Sequence, residues 1–239
     1  MTRTSSTKTL VCLRPKLLTC RLLARADAAI LAGLGADPSR HTSLGFVTCD
    51  QDDALYAALD HATKFAPVEV VYAKSFYAGA AHASGPLSGE AMGVLAGADP
   101  DEVAEGLTAL RHALAEDIAF YAQAGPDGHT PTGPAFFPHV IPQLGHYLSA
   151  QAGLPVGAAL AYLIAPPVEA MIGLDAALKV AGVRAARFFG PPTETNFAGA
   201  YLTGPLADVE AAAHAFTEGV LEVVAAPLAA AVRPGYQRR

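Results

Sequence analysis

The chain contains one block twice, and that repeat limits its possible folds more than any other feature. Leu59-Asp-His-Ala-Thr-Lys-Phe-Ala-Pro-Val68 lies over Leu174-Asp-Ala-Ala-Leu-Lys-Val-Ala-Gly-Val183, with six of ten positions identical at a spacing of 174 − 59 = 115. The same spacing carries back without a gap to Phe46 over Ala161. Further on, Leu95-Ala-Gly97 lies over Leu202-Thr-Gly204 and Asp101 over Asp208, at a spacing of 202 − 95 = 107. The first copy therefore carries eight extra residues, 115 − 107, within the small-residue stretch Ala80–Gly89. Two matching blocks in one order imply two tandem units of roughly 100 residues each.

Both copies predict the same order of elements. A short apolar strand (44–48; 159–164) leads into a helix (53–65; 168–180) and a second strand (68–72; 183–188). A loop, a third strand (91–95; 199–203) and a closing helix (100–115; 207–223) follow. Pro100 after Asp99 is a helix start, with the acid as N-cap and the proline at N1. Strands and helices in this order predict an α+β, ferredoxin-like layer of helices on an antiparallel sheet. The turn-rich stretch 125–134 marks the junction, giving domains 1–124 and 125–239.

Composition excludes several function classes. The chain is 52% hydrophobic with a mean hydropathy of +0.30. Its most apolar stretch, Leu154–Ile172, is nevertheless interrupted by Pro155, Pro166, Pro167 and Glu169. A membrane-spanning helix needs about 20 uninterrupted apolar residues, so no membrane role and a cytoplasmic setting are expected. A net charge of −6 argues against nucleic acid, which demands clustered cations. Cys12, Cys20 and Cys49 form no metal-ligand or disulfide pattern. There is no G-x-S-x-G elbow, P-loop, G-x-G-x-x-G after a strand, or HExxH, so no enzyme and no catalytic residue are expected.

The blocks Asp175-Ala-Ala-Leu-Lys-Val-Ala-Gly-Val183 and Tyr201-Leu-Thr-Gly-Pro-Leu-Ala-Asp-Val209 resemble the bacterial microcompartment shell domain. Further stretches make the chain similar to the tandem-domain shell proteins of ethanolamine-utilisation compartments. They include Val68-Glu-Val-Val-Tyr72, Ser75-Phe-Tyr-Ala-Gly-Ala-Ala-His82, Gly89-Glu90, Ala161-Tyr-Leu-Ile-Ala-Pro-Pro-Val-Glu-Ala170 and Glu194-Thr-Asn196. The segment before Arg14-Pro15 and the one near Gly125 are longer than the family's usual pattern. The resemblance implies two circularly permuted shell domains per chain and a homotrimer forming a flat pseudohexameric tile. It also implies partnership with other shell proteins and a place in the compartment shell.

Residue by residue, the resemblance assigns ethanolamine binding in a small pore to Asp52, Asp53 and Glu90, with Phe120, Thr195, Asn196 and Phe197. Read from the residues alone, Asp50, Asp52 and Asp53 are acids capping a helix, and Glu90 is a loop acid. Leu55 stands where an EF-hand needs glycine, which excludes that calcium site. A gated central pore is implied at Ala81, His82, Gly85, Pro191 and Glu194, although ordinary surface loops explain these segments equally well. Lys64 and Lys179 share one repeat position, read either as helix C-terminal cations or, by resemblance, as tile-edge contacts. No cofactor is required and no metal site is assigned. Cobalamin and zinc binding stay open. A non-tiling trimeric binding module on the same scaffold is the alternative function, followed by a cryptic enzyme using Asp52 and Glu90.

Overall fold

A computed structural model describes residues 9–75, 87, 89–180, 182–191 and 197–228. Its strands are β1 (Leu10–Leu13), β2 (Leu17–Leu23), β3 (Ser43–Cys49), β4 (Glu69–Ser75), β5 (Ala91–Gly97), β6 (Phe120–Ala124), β7 (Pro131–Ile141), β8 (Leu160–Ala165), β9 (Arg184–Phe189) and β10 (Ala198–Thr203). Its helices are α1 (Ala28–Gly33), α2 (Asp52–Phe65), α3 (Pro100–Glu116), α4 (His146–Ala152), α5 (Pro167–Val180) and α6 (Leu206–Ala225). The five elements expected in each copy are all present.

The first half forms a sheet in the order β2-β3-β5-β4, and the second half repeats it as β7-β8-β10-β9. All pairings are antiparallel. In both sheets the strand before the first long helix lies beside the strand before the last one, as in Phe46 opposite Val94 and Tyr162 opposite Tyr201. β1 and β6 extend the second sheet, so it takes strands from both halves of the chain. The stretch 125–134 is a hairpin turn followed by the first residues of β7. Asp127 accepts from the backbone N–H groups of His129 and Thr130 at 2.9 Å each, which closes that turn.

Local chemistry explains the long helices. Asp99 Oδ1 accepts from Asp101 N and Glu102 N at 2.8 and 3.0 Å, and Glu102 Oε2 reaches back to Ala98 N at 2.8 Å. These bonds satisfy the orphan donors at the start of α3. In α2, Leu55, Ala58, Leu59 and Ala62 recur at helical spacing and are fully buried. Where α5 meets α6, a Cβ on Gly219 would stand 2.8 Å from Gly173 Cα, so glycine sets how closely the two backbones approach.

The main core crosses between the halves: Leu55 and Leu59 of α2 share a cluster with Phe137, Leu148 and Tyr162. Leu174, Phe216 and Leu202 belong to a second cluster under α5 and α6. Among the described residues, no helix is long and apolar enough to cross a membrane.

Candidate functional site

The turn from β3 into α2 brings three acids together, and each is held differently. Asp50 Oδ1 accepts from Lys16 N at 2.6 Å, tying this turn to the start of β2. Asp52 and Asp53 occupy the first turn of α2, where the helix dipole favours negative charge. Asp52 Oδ1 accepts from Asp53 N at 2.8 Å. The Asp53 carboxylate accepts the Tyr162 hydroxyl from β8, across the joint between the two halves.

Glu90 arrives from the other side of the same strand pair. Its N–H donates to Cys49 O at 2.7 Å, just ahead of β5. Gly89 makes that approach possible. It has φ +67°, and a Cβ there would lie 2.4 Å from Cys49 O.

Asp52, Asp53 and Glu90 line a cavity of 170 Å³ together with Leu13, Gln51, Phe120, Ala135 and Phe197. Phe120 stacks on Phe137 with ring centroids 4.7 Å apart and meets the edge of Phe197 at 6.4 Å. The Gln51 side-chain oxygen is shut away from solvent and accepts no hydrogen bond among the described residues. A second cavity of 260 Å³ shares Asp52, Asp53 and Phe197 as walls. Tyr56, Tyr147, Tyr162, Tyr201 and Arg187 line it. The Tyr162 and Tyr201 hydroxyls are hydrogen-bonded, and their rings meet edge to face at 4.6 Å.

The electrostatics follow from crowding like charges out of water. The Glu90 carboxyl is pushed up to about 7, first by burial and then by Asp52 and Asp50. Asp53 is pushed well above the usual carboxylate range, by burial first and then by Asp52; Glu90 adds to this and the Tyr162 hydrogen bond opposes it. Such a site gains most from a small cation that carries N–H donors, because the cation offsets the repulsion and supplies charge-assisted bonds. Gln51 offers a neutral acceptor, and the phenylalanines wall the site with apolar surface.

The structure therefore brings together Asp52, Asp53, Glu90, Phe120 and Phe197. Thr195 and Asn196 lie outside the described residues, as do Ala81, His82, Gly85 and Glu194 of the expected central pore. Pro191 is described and exposed. Lys64 Nζ donates to Gln143 O at 3.0 Å and lies 3.6 Å from Asp60, with its side chain 24% exposed. Lys179 is 72% exposed and pairs with Asp175 at 2.6 Å. Sequence reasoning missed Tyr162 and Gln51. One signal for Tyr162 was available: at the repeat spacing it replaces Val47, a hydroxyl where the other copy has only a core aliphatic. Among the described residues, no group of His, Cys, Asp and Glu could hold a metal ion.

No family model matches the chain. It is 45% identical over 216 residues to the bacterial microcompartment shell protein EutL of Clostridium perfringens (strain 13), covering 90% of this chain and 97% of that protein. The crystal structure of the ethanolamine utilization protein EutL from Leptotrichia buccalis superposes with a TM-score of 0.86 at 46% identity, covering 94% of this chain and 100% of that one. A trimeric bacterial microcompartment shell protein, PduB, shares the fold at 18% identity and a TM-score of 0.70, over 90% of this chain and 92% of its own.

Proposed function

The chain belongs to the EutL family of bacterial microcompartment shell proteins, and from that membership we propose that it builds a trimeric, pseudohexameric tile of an ethanolamine-utilisation compartment whose acid-lined cavity binds ethanolamine. The shell role rests on identity that runs through nine-tenths of the chain. A trimer of a duplicated chain is the closed arrangement that turns two unequal halves into six positions around a ring. The relatives are shell proteins, which fits a chain with no catalytic motif, and no turnover of ethanolamine is expected.

One observation carries the ligand reading: Glu90 and the adjacent pair Asp52 and Asp53, from separate parts of the sequence, converge on a cavity of 170 Å³. Ethanolamine has an ammonium for these carboxylates and a hydroxyl for a neutral partner such as Gln51. A pore that passes its ligand must also release it, so binding is expected to be weak. Calorimetric titration of ethanolamine tests this reading. Wild type is expected to bind, and Glu90→Ala to bind at least about tenfold more weakly. Equal affinity of the two proteins would remove Glu90 from the site. Electron microscopy tests the tile reading, with flat hexagonal arrays expected. A soluble trimer that never tiles would favour a binding module on the same scaffold.

A further inference from the structure

Beside the acid site, the 260 Å³ cavity has a chemistry of its own, set by a row of side chains across the second sheet. Tyr201 of β10 stands directly opposite Arg187 of β9 on one side and Tyr162 of β8 on the other. Directly paired residues share a face, and neighbouring strands lie about 4.8 Å apart, so the three side chains form one row. That row ends in opposite charges. At its inner end the Tyr162 hydroxyl donates to the Asp53 carboxylate, with Asp52 beside it in the first turn of α2. At its outer end stands the guanidinium of Arg187.

The two ends differ in exposure as well as in sign. Tyr162 and Tyr201 are 2% and 4% exposed, whereas Arg187 is exposed. Helix α4 holds it in place: Arg187 Nη1 donates to Gln151 O at 3.3 Å and to Gln151 Oε1 at 3.1 Å. The guanidinium also lies 5.1 Å from the centre of the Phe189 ring. These partners are neutral, so they fix the cation without cancelling its charge. Tyr201 registers both ends of the row: burial pushes its hydroxyl up, Asp53 adds to that, and Arg187 opposes it. Another wall group, the Ser75 hydroxyl, is shut away from solvent and makes no hydrogen bond among the described residues. A buried hydroxyl without a partner is costly, and a polar occupant would supply one.

We propose that this cavity binds a small zwitterion, with its ammonium directed to Asp52 and Asp53 and its anionic group to Arg187. A ligand of one charge satisfies only one end of the row. A plain amine leaves Arg187 unmatched, and a plain anion meets the acid pair as a like charge. The anionic group stays at the exposed end and keeps part of its hydration, while the ammonium goes deeper, where carboxylates replace its water. At 260 Å³ the cavity is smaller than the roughly 300–1,000 Å³ of sites for drug-sized ligands, which restricts it to compact molecules. Carboxylate and phosphate both match the fork of a guanidinium, so amino acids and aminoalkyl phosphates share the required chemistry. Arg187 lines this cavity and not the 170 Å³ one, and Glu90 the reverse. The zwitterion site is therefore separable from the ethanolamine site, although both use the acid pair.

Calorimetric titration of the full chain with β-alanine and with O-phosphoethanolamine tests the site, with ethyl phosphate as an anion that lacks the ammonium. At least one zwitterion is expected to saturate the protein, binding at least about tenfold more tightly than ethyl phosphate. Arg187→Gln is expected to weaken that zwitterion at least about tenfold, with ethanolamine binding and far-ultraviolet circular dichroism as in wild type. Saturation by β-alanine alone, or by O-phosphoethanolamine alone, would support the site and identify its anion as carboxylate or phosphate. Three results would each overturn it: no saturation by either zwitterion, ethyl phosphate binding as tightly as the zwitterions, or a zwitterion affinity untouched by Arg187→Gln. A wild type that binds ethanolamine but neither zwitterion would overturn this site alone. One that binds a zwitterion through Arg187 but not ethanolamine would overturn the ethanolamine reading and leave this site standing.

Discussion

Within the acid site, Glu90 and Asp53 share one cavity, and burial followed by the charge of Asp52 raises the carboxyl of each. The Glu90 carboxyl is raised from its ordinary 4.5 to about 7. Its contribution to stability is therefore fully present below its unfolded value and is lost as pH rises through about 7. The ligand-free protein is expected to melt at progressively lower temperature from pH 5 to pH 8, and Glu90→Gln to flatten that slope in a thermal scan. A bound ammonium reverses the sign, because it favours the ionised acid. Ethanolamine affinity is expected to rise from pH 6 to pH 8, and calorimetry in buffers of different ionisation enthalpy should show protons released on binding. Asp53 also accepts the hydroxyl of Tyr162, a residue only 2% exposed. Tyr162→Phe leaves the carboxyl without that donor, and a loss of about 1–3 kcal/mol is expected in urea unfolding.

Helix ends and turns carry the next level of the argument. Asp60 caps α4 from another helix, 85 residues away in sequence, and the cap is buried. Asp60→Ala would orphan two backbone donors at once and is expected to cost about 2–4 kcal/mol. Asp27→Ala removes one exposed cap from α1 and is expected to cost about 1 kcal/mol. Chemical denaturation of the two variants compares them directly; equal losses would mean that the buried cap contributes nothing beyond an ordinary one. Gly89 is the other sensitive point. Gly89→Ala forces a Cβ toward Cys49 O from a left-handed backbone, so it is expected to shift Glu90 and weaken ligand binding as well as lower stability.

Across the whole molecule, the difference between the halves matters as much as their likeness. Asp52 and Asp53 map onto Pro167 and Val168 at the repeat spacing, so the acid pair occurs once per chain. A ring of three chains is expected to bind three ethanolamine molecules and not six, a stoichiometry that calorimetry reads directly. Lys179, exposed at the end of α5, is the residue expected to contact a neighbouring tile. Lys179→Asp should leave the trimer intact in light scattering and abolish arrays under the electron microscope; normal arrays would remove it from the edge. Lys64, its repeat partner, is instead held on Gln143 O inside the chain, so the two lysines meet different surroundings despite their shared position.

The amino-acid order by itself determined the repeat, the five recurring elements of each half and the α+β class, because helix and strand periodicity and helix caps are local properties. Helix α3 shows this well, since Asp99, Pro100 and Glu102 specify its start within four residues. The short elements were not legible. β7 contains Pro131, Pro134 and Pro138 and still forms a strand, because its pairing with β6 and β8 supplies what its own propensity lacks. Helices α1 and α4 span only six and seven residues, too few for a periodic signal. For the site, resemblance pointed to Asp52, Asp53, Glu90, Phe120 and Phe197, while residue chemistry alone read the acids as caps and a loop charge. Only the tertiary structure joined Tyr162 to Asp53 across 109 residues and Asp60 to α4 across 85. Such contacts depend on how two folded halves meet, and that geometry is set by a shared core to which no single stretch of sequence contributes more than a part.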